Sequence, residues 1–392
     1  MRYDYDVVVV GARVAGASTA LLLARQGHRV LMVDRAAMPS DTVSTHAILR
    51  TGVLQLTRWG LLDRIVEAGT PPARQMTLGF GSERIHFQVR GDFGVEELYA
   101  PRRIVLDSIL VEEANTAGVE FAERTRMLDL TRDREGRVSG IVVARGRGRR
   151  EISARMVIGA DGIRSRLARL VGAPTTAYQL PVNTVHYAYF TGIEMDGFWF
   201  QFTPGINAGI ISTNDGAACV FAGRPAHRLS DWNAHPDDEF RRLLTEAGED
   251  LAERVAGGRQ VTPFRGSGRL PAFIRRPFGP GWALVGDAGY SKDPISAHGI
   301  SDALRDAELC ARAVDRSLRS PPDTDEAMAE YERVRDVLSW PIFEQSQALA
   351  EYRWDAEEAS ARMRVVSSTV RDECAALVSL PSWPGTDVAI PA

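Results

Sequence analysis

Apolar residues along this chain fall into three kinds of run. The first is continuous: Val7-Val8-Val9-Val10, Val30-Leu31-Met32-Val33, Met156-Val157-Ile158 and Trp282-Ala283-Leu284-Val285. Short runs without polar interruption are what strands buried on both faces require, and parallel sheets are made of such strands. The second kind has helical spacing. It predicts helices from the end of the turn at 11–17 to Arg25, Ala47 to Trp59, 103 to 117 with Leu106, Ile109, Leu110 and Ala114 on one face, 236 to 247, and 299 to 318, with a stretch over 324–376 broken near Pro341. The third kind alternates. It covers Met76–Phe80 and Arg84–Arg90, a meander over 119–151 whose basic tip is Arg145–Arg150, and the aromatic segments His186–Phe190, Phe198–Phe202, Ala208–Ser212 and Ala218–Ala222.

Buried strands separated by helices, interrupted by antiparallel stretches, define an α/β chain. The expected architecture is a Rossmann-like nucleotide-binding domain carrying an inserted, mainly antiparallel β-sheet substrate domain, followed by a C-terminal helical segment. The boundaries are 1–75, 100–175 and 265–320 for the first domain, 76–99 and 176–264 for the second, and 321–392 for the helical segment. In the strand Phe198–Phe202, phenylalanines alternate with Trp199 and Gln201, so aromatic side chains leave both faces. If one face packs on core, the other lines a pocket. His186, Tyr187, Trp199 and Gln201 are the substrate-side candidates.

The chemistry begins at the first strand end. Gly11-Ala12-Arg13-Val14-Ala15-Gly16 turns the chain into a helix, and Asp34 closes the second strand eighteen residues past Gly16. That is the form of a dinucleotide-binding βαβ unit: helix N–H groups and the helix dipole face a pyrophosphate, and the acid accepts from ribose. The usual middle glycine is replaced by Arg13. An arginine there is expected to hold an awkward backbone or shift the ligand, with its guanidinium pairing phosphate or stacking on adenine. The loop after Asp34 follows a strand's carboxyl end, which makes His46 and Arg50 candidate active-site residues. Two further junctions carry an acid beside glycine: Gly159-Ala160-Asp161-Gly162, and Gly286-Asp287-Ala288-Gly289 leading through Pro294 and His298 to a helix opening at Gly299.

Composition narrows the classes. The chain has 392 residues, 44% hydrophobic and 25% charged, with a formal net charge of −4, which favours neither nucleic acid nor an anionic membrane. Cys219, Cys310 and Cys374 are widely spaced, without a C-x-x-C pair, so neither a disulfide framework nor a zinc or other metal site is expected. Strand residues begin by Asp6 and no apolar run approaches the ~20 residues of a membrane span, so a cytoplasmic protein is expected. Among the basic residues Lys292 is the only lysine.

The three glycine-acid junctions, in this order, resemble the single-component FAD-dependent monooxygenases of the aromatic hydroxylase class, within the superfamily that also holds geranylgeranyl reductases and flavin halogenases. The likeness spans about residues 5 to 320. It implies that Gly11, Arg13, Ala15, Gly16, Asp34 and Arg35 surround the ADP half of FAD and that Arg103 reaches the pyrophosphate. Asp161 would lie by the cofactor and the nicotinamide path, and Gly286 and Asp287 by the ribityl chain. Pro294, Gly299 and Ile300 would face the isoalloxazine ring, where a helix N-terminus favours the charge of reduced flavin. Catalytic candidates are His298, His46 and Pro294.

Arg265-Gly-Ser-Gly-Arg269 lacks the strand and helix of a second dinucleotide motif, so NAD(P)H is expected as a transient co-substrate. The W-x-W-x-I-P signature of halogenases is missing. The expected reaction takes electrons from NAD(P)H and inserts one atom of O2 into an aromatic or apolar small molecule, a secondary metabolite among the candidates, through a flavin C4a-hydroperoxide. The alternative is reduction of isoprenoid double bonds on the same framework. Oligomeric state is left open.

Overall fold

The computed structural model describes residues 3–268 and 270–384. The continuous apolar runs become one sheet, in the order Phe278–Gly279, Trp282–Leu284, Gly148–Gly159, Tyr5–Val10, Val30–Val33, Glu120–Ala122. From Trp282–Leu284 to Glu120–Ala122 every pairing is parallel. Val7, Val8 and Val9 are fully buried because helices cover one face and the meander strands the other. The meander itself pairs Arg126–Arg132, Val138–Arg145 and the first half of Gly148–Gly159. Glu120–Ala122, expected in that meander, instead extends the parallel sheet beyond Val30–Val33.

The alternating segments form a second sheet, in the order Arg259–Gln260, Asn183–Thr191, Ala217–Pro225, Ile206–Ser212, Gly197–Thr203, Gln75–Phe80, Glu83–Gln88. It is antiparallel except where Gly197–Thr203 runs parallel to Gln75–Phe80. Its two faces join different cores. Tyr187, Tyr189, Phe198, Phe200, Phe202 and Phe221 share a core with the first sheet's helices, whereas Ala188, Phe190, Trp199, Ile210 and Val220 pack on the helices between 229 and 256.

Gly299–Arg319 packs against both Val14–Arg25 and the C-terminal helix Thr324–Ala350. Pro341 does not break that helix, contrary to the expectation from its ring. The carbonyl deprived of a donor belongs to Val337, which is 62% exposed and can be met by water. The break falls instead at 351–355, where Asp355 and Glu358 form a capping box that starts Ala356–Val378. Among the described residues no helix is long and apolar enough to cross a membrane.

Candidate active site

Register alone brings the three glycine-acid junctions together. Leu284 pairs with Gly159, Gly159 with Val10 and Val10 with Val33, so the chain leaves four neighbouring parallel strands at one edge, carrying Asp287, Asp161, the glycine turn and Asp34. The turns touch as well. A Cβ added at Gly11, whose φ is +110°, would meet the Ala160 carbonyl at 2.3 Å, and one at Gly286 would lie 2.7 Å from the Ala15 Cβ. Gly16 packs equally close, 1.8 Å from the Gly11 carbonyl by the same construction. Carboxyl ends of parallel strands, crowded to backbone contact, are where open α/β sheets bind ligands.

At this edge the helix Val14–Arg25 starts without a side-chain cap, which leaves its first N–H groups for an anion. Arg13 precedes it with φ −87° and ψ −172°, ordinary extended backbone, so the expected strain is absent. Its guanidinium lies 2.8 Å from Asp107 and also donates to the Ser40 carbonyl at 3.2 Å and the Ser40 hydroxyl at 3.1 Å. Arg103 grips the same buried carboxylate at 3.0 and 3.1 Å. Burial pushes the Asp107 carboxyl up against the pull of Arg103 and Arg13. Two guanidinium groups on one carboxylate leave a net positive charge beside the uncapped helix. The Arg103–Asp107 spacing of one helical turn was visible in the sequence, although only Arg103 was singled out.

The three acids differ in what they do. Asp34 accepts from the backbone N–H groups of Ala12 and Ala36, both at 2.8 Å, and so locks the turn; Arg35 beside it is exposed. Asp161 accepts from the Ser165 hydroxyl at 2.5 Å and from the N–H groups of Arg166 and Leu167 at 2.6 and 3.2 Å, capping the helix Arg166–Val171. Asp287 is solvent-accessible but walled by protein, and desolvation raises its carboxyl despite nearby Lys292 and Arg103. In the mostly buried stretch from Gly281 to Leu304, the exposed positions are Asp287, Pro294 and Gly299, with Lys292, Ala297 and Ala303 half-buried. All three were assigned to the cofactor side.

Pro294 opens a short turn that Asp293 caps through the Ile295 N–H at 3.0 Å, and Ala297 turns the chain with φ +52° into the helix beginning at Gly299, with Ile300 buried behind it. Between this turn and the inner face of the second sheet lies a narrow cavity. Pro294, Ile295 and Ala297 form one wall; Val185, Phe200 and Phe221, with the amides of Asn183 and Asn207 and with Thr45, form the other. The Tyr352 hydroxyl lies between the two amides, 2.8 Å from the Asn183 oxygen and 2.6 Å from the Asn207 oxygen, and donates its one hydrogen to one of them at a time.

His46 stands next to Thr45 with φ +70°, buried, its Nε2 hydrogen-bonded to the Tyr189 hydroxyl and its ring stacked on Tyr189 at 5.7 Å. Its Nδ1 has no hydrogen-bond partner. Desolvation, helped by the Arg103 charge, pushes its pKa down to about 3, so the ring is neutral. Tyr187 accepts from the Ser44 N–H at 3.2 Å and holds the same loop.

Several forecast residues lie elsewhere. His186 faces away from the cavity and stacks on Trp232 at 3.8 Å; Trp199 packs in the same outer core; Gln201 donates to the Gly81 carbonyl at 2.9 Å. Strand alternation decides this, because Tyr187 and Phe200 occupy the inner face and their neighbours cannot. Arg50 donates to the Arg90 and Asp92 carbonyls at 2.7 and 2.9 Å and braces a loop. His298 is fully buried under the turn, with its Nε2 2.8 Å from Glu373. Glu373 lies on the last helix, Ala356–Val378, in the stretch that the sequence marks only as a C-terminal helical segment. No local pattern announces it.

Residues 4–346 match the family model described as FAD binding domain, and the chain belongs to that family. The protein is therefore an FAD-dependent oxidoreductase. It is 28% identical over 347 residues to digeranylgeranylglycerophospholipid reductase 2 of Methanopyrus kandleri, covering 84% of this chain and 80% of that protein. The structure is similar to that of the flavin-dependent brominase Bmp2, with a TM-score of 0.79 at 18% identity, covering 94% of this chain and 93% of that one. It is also similar to PqsL of Pseudomonas aeruginosa, a probable FAD-dependent monooxygenase, with a TM-score of 0.74 at 22% identity, covering 96% and 100%. The junctions fit the cofactor: two glycines where a Cβ would collide with backbone, an uncapped helix start and a double guanidinium at one end, and exposed Pro294 and Gly299 at the other.

Proposed function

We propose that the protein is a monooxygenase that uses FAD, NAD(P)H and O2 to put one oxygen atom into a small aromatic or otherwise apolar molecule. The cavity between the aromatic sheet face and the Pro294–Ala297 turn carries this reading. Val185, Phe200 and Phe221 present apolar surface, while the Asn183 and Asn207 amides offer a fixed polar anchor at one side, the arrangement a small ring with one polar substituent needs.

In this reading Gly11, Arg13, Ala15, Gly16, Asp34, Arg35 and Arg103 hold the ADP half of FAD, Gly286 and Asp287 the ribityl chain, and Pro294, Gly299 and Ile300 the ring. Asp161 acts indirectly, as the cap that sets the middle junction. The bound flavin supplies the electron transfer and oxygen activation; the protein supplies orientation, dryness and proton placement. His46, kept neutral by burial, can donate its Nε2 hydrogen to the Tyr189 oxygen and so leave the Tyr189 hydroxyl hydrogen free. That hydroxyl can in turn polarise a substrate group that enters beside Thr45.

The test is turnover under labelled O2 with peroxide scavenged, across phenols, polyketides and terpenoids. The expected product carries one labelled oxygen, with NAD(P)H consumed in proportion. The relationship to the Methanopyrus kandleri reductase favours a second reading, reduction of isoprenoid double bonds. A hydrogenated prenyl chain free of label would establish that reading and end the first.

A further inference from the structure

The cavity beside the Pro294–Ala297 turn has one polar corner, and the number of hydrogens there decides what it accepts. Three buried side chains meet in it: Asn183 and Asn207, which line the cavity, and Tyr352, which reaches them from the segment after the helix Thr324–Ala350. The Tyr352 oxygen lies within hydrogen-bond distance of both amide oxygens yet carries one hydrogen. As the side chains stand, one oxygen–oxygen contact is therefore left with no hydrogen in it. A buried acceptor without a donor is destabilising.

Asn183 cannot relieve this. Its amide nitrogen donates to the Asp293 carboxylate at 3.0 Å, and the same carboxylate oxygen accepts from the Ile295 N–H at 3.0 Å. Turning that amide over would set its oxygen against a carboxylate oxygen. Asn207 is not held in this way. Tyr352 is the one hydrogen-bond partner of its side chain among the described residues, and opposite it in the strand register stands Gly223, where a Cβ would fall 2.2 Å from the Asn207 oxygen. The missing side chain leaves room for the amide. Turned over, Asn207 donates from its nitrogen to the Tyr352 oxygen, Tyr352 donates to the Asn183 oxygen, and Asn183 donates to Asp293. Every contact in the corner then holds one hydrogen, and the Asn207 oxygen is the atom left over.

We propose, resting on the reading of this cavity as the substrate site, that Asn207 and Tyr352 set its specificity: Tyr352 is a positioning residue that holds the Asn207 amide oxygen toward the ligand, so that the cavity prefers a ligand that donates a hydrogen bond over one of similar shape that only accepts. An accepting group needs the Asn207 nitrogen. It obtains that nitrogen only by turning the amide back and restoring the contact without a hydrogen. Charge points the same way. Among the described residues that line the cavity none is charged, and the Asp293 carboxylate behind Asn183 opposes an anionic group. The ligand's polar group is thus a neutral O–H or N–H at the amide corner, with its apolar body against Phe200 and Phe221.

The experiment is ligand binding to the oxidised holoenzyme, read as a perturbation of the flavin absorbance spectrum without NAD(P)H, so that no turnover is required. It is run at about pH 8, where Asp293, lifted by burial to about 6, is ionised and only accepts. The probes are indole and 1-indanone, fused rings of similar size, one carrying N–H and the other C=O. The wild type is expected to bind indole about tenfold tighter or more. In Tyr352→Phe that ratio should fall toward one because 1-indanone gains, since Asn207 freed from Tyr352 can present its nitrogen. In Asn207→Leu the ratio should be lost because indole weakens. A purely structural loss would weaken both probes together and leave the ratio in place. Equal binding of the two probes by the wild type, or an unchanged ratio in Tyr352→Phe, overturns the proposal while the cavity stands as the binding site. Should Asn207→Leu lose its flavin, the wild type and Tyr352→Phe still decide. If neither probe perturbs the flavin of the wild type, the reading of the cavity as the substrate site fails, and the proposal fails with it.

Discussion

Arg13 in the glycine turn after the first strand is ion-paired at 2.8 Å with Asp107, ninety-four positions further on and fully buried. The pair explains how an arginine replaces the middle glycine. The backbone there is extended and unstrained, and the side chain ties the Ser40–Asp41 loop to the helix that carries Arg103. Restoring the glycine is therefore expected to harm. Arg13→Gly should weaken FAD binding to apo-protein by about tenfold, roughly 1.4 kcal/mol, read by flavin fluorescence; equal or tighter binding would show that the guanidinium plays no part. Asp107→Ala leaves two cations without their partner and should cost about 3–5 kcal/mol in urea unfolding.

The three acids at the sheet edge should separate in the laboratory. Asp34→Ala removes the acceptor of two backbone N–H groups and should reduce both flavin retention and stability. Asp161→Ala should lower stability by about 1 kcal/mol, the usual worth of a helix cap, with flavin affinity nearly intact. Asp287→Ala removes a carboxylate that burial already disfavours, so FAD affinity should fall while urea stability holds or rises. Unchanged flavin content in both Asp34→Ala and Asp287→Ala would refute the assignment of this edge to the cofactor.

The sheet edge was legible because everything that makes it is local. Continuous apolar strands, a glycine turn and an acid at fixed spacing each write themselves into a few consecutive residues, and register does the rest. The cavity was half legible. Alternation in Phe198–Phe202 shows two faces but not which core each meets, because that depends on the helices between 229 and 256 covering the Trp199 side. Glu373 was not legible at all. Its partners Thr51, His298 and Arg305 lie 322, 75 and 68 positions away, and only tertiary packing brings them together.

Acid should destabilise the fold in a way that names its residues. His46 is neutral in the folded protein down to about pH 3, whereas the unfolded ring takes a proton near 6.5, so the unfolded state binds more protons across that window. Stability is thus full above about 6.5 and falls toward pH 3, by up to ~1.4 kcal/mol per pH unit from this residue. Glu373 acts in the same direction further down. Burial alone would raise it, but His298 and Arg305 hold it below the usual range, and its contribution disappears as pH falls below ~4.3. Asp293 opposes both, since burial lifts its carboxyl to about 6 and its contribution is lost as pH rises through that value. Urea unfolding between about pH 4 and 7 should show a shallower acid limb in His46→Asn than in the wild type; parallel limbs would mean that His46 is charged in the fold.

Adjacent residues on one strand give the sharpest test of where substrate binds. Phe200 forms part of the cavity wall and Trp199, one position earlier, packs in the outer core. Conservative changes keep most of the burial, so Phe200→Leu and Trp199→Phe should each cost no more than about 1–3 kcal/mol. Their kinetics should diverge. Phe200→Leu reshapes a wall against which a ring must lie and should lower kcat/KM by about tenfold or more, corresponding to at least ~1.4 kcal/mol of lost transition-state binding, with more NAD(P)H spent without product. Trp199→Phe should leave both unchanged, as should His186→Ala, whose ring meets Trp232 rather than the cavity. Equal kinetic damage from Trp199→Phe would place the substrate on the opposite face of the sheet, in the core beneath the helices between 229 and 256, and the cavity beside Pro294 would then have to be given another role.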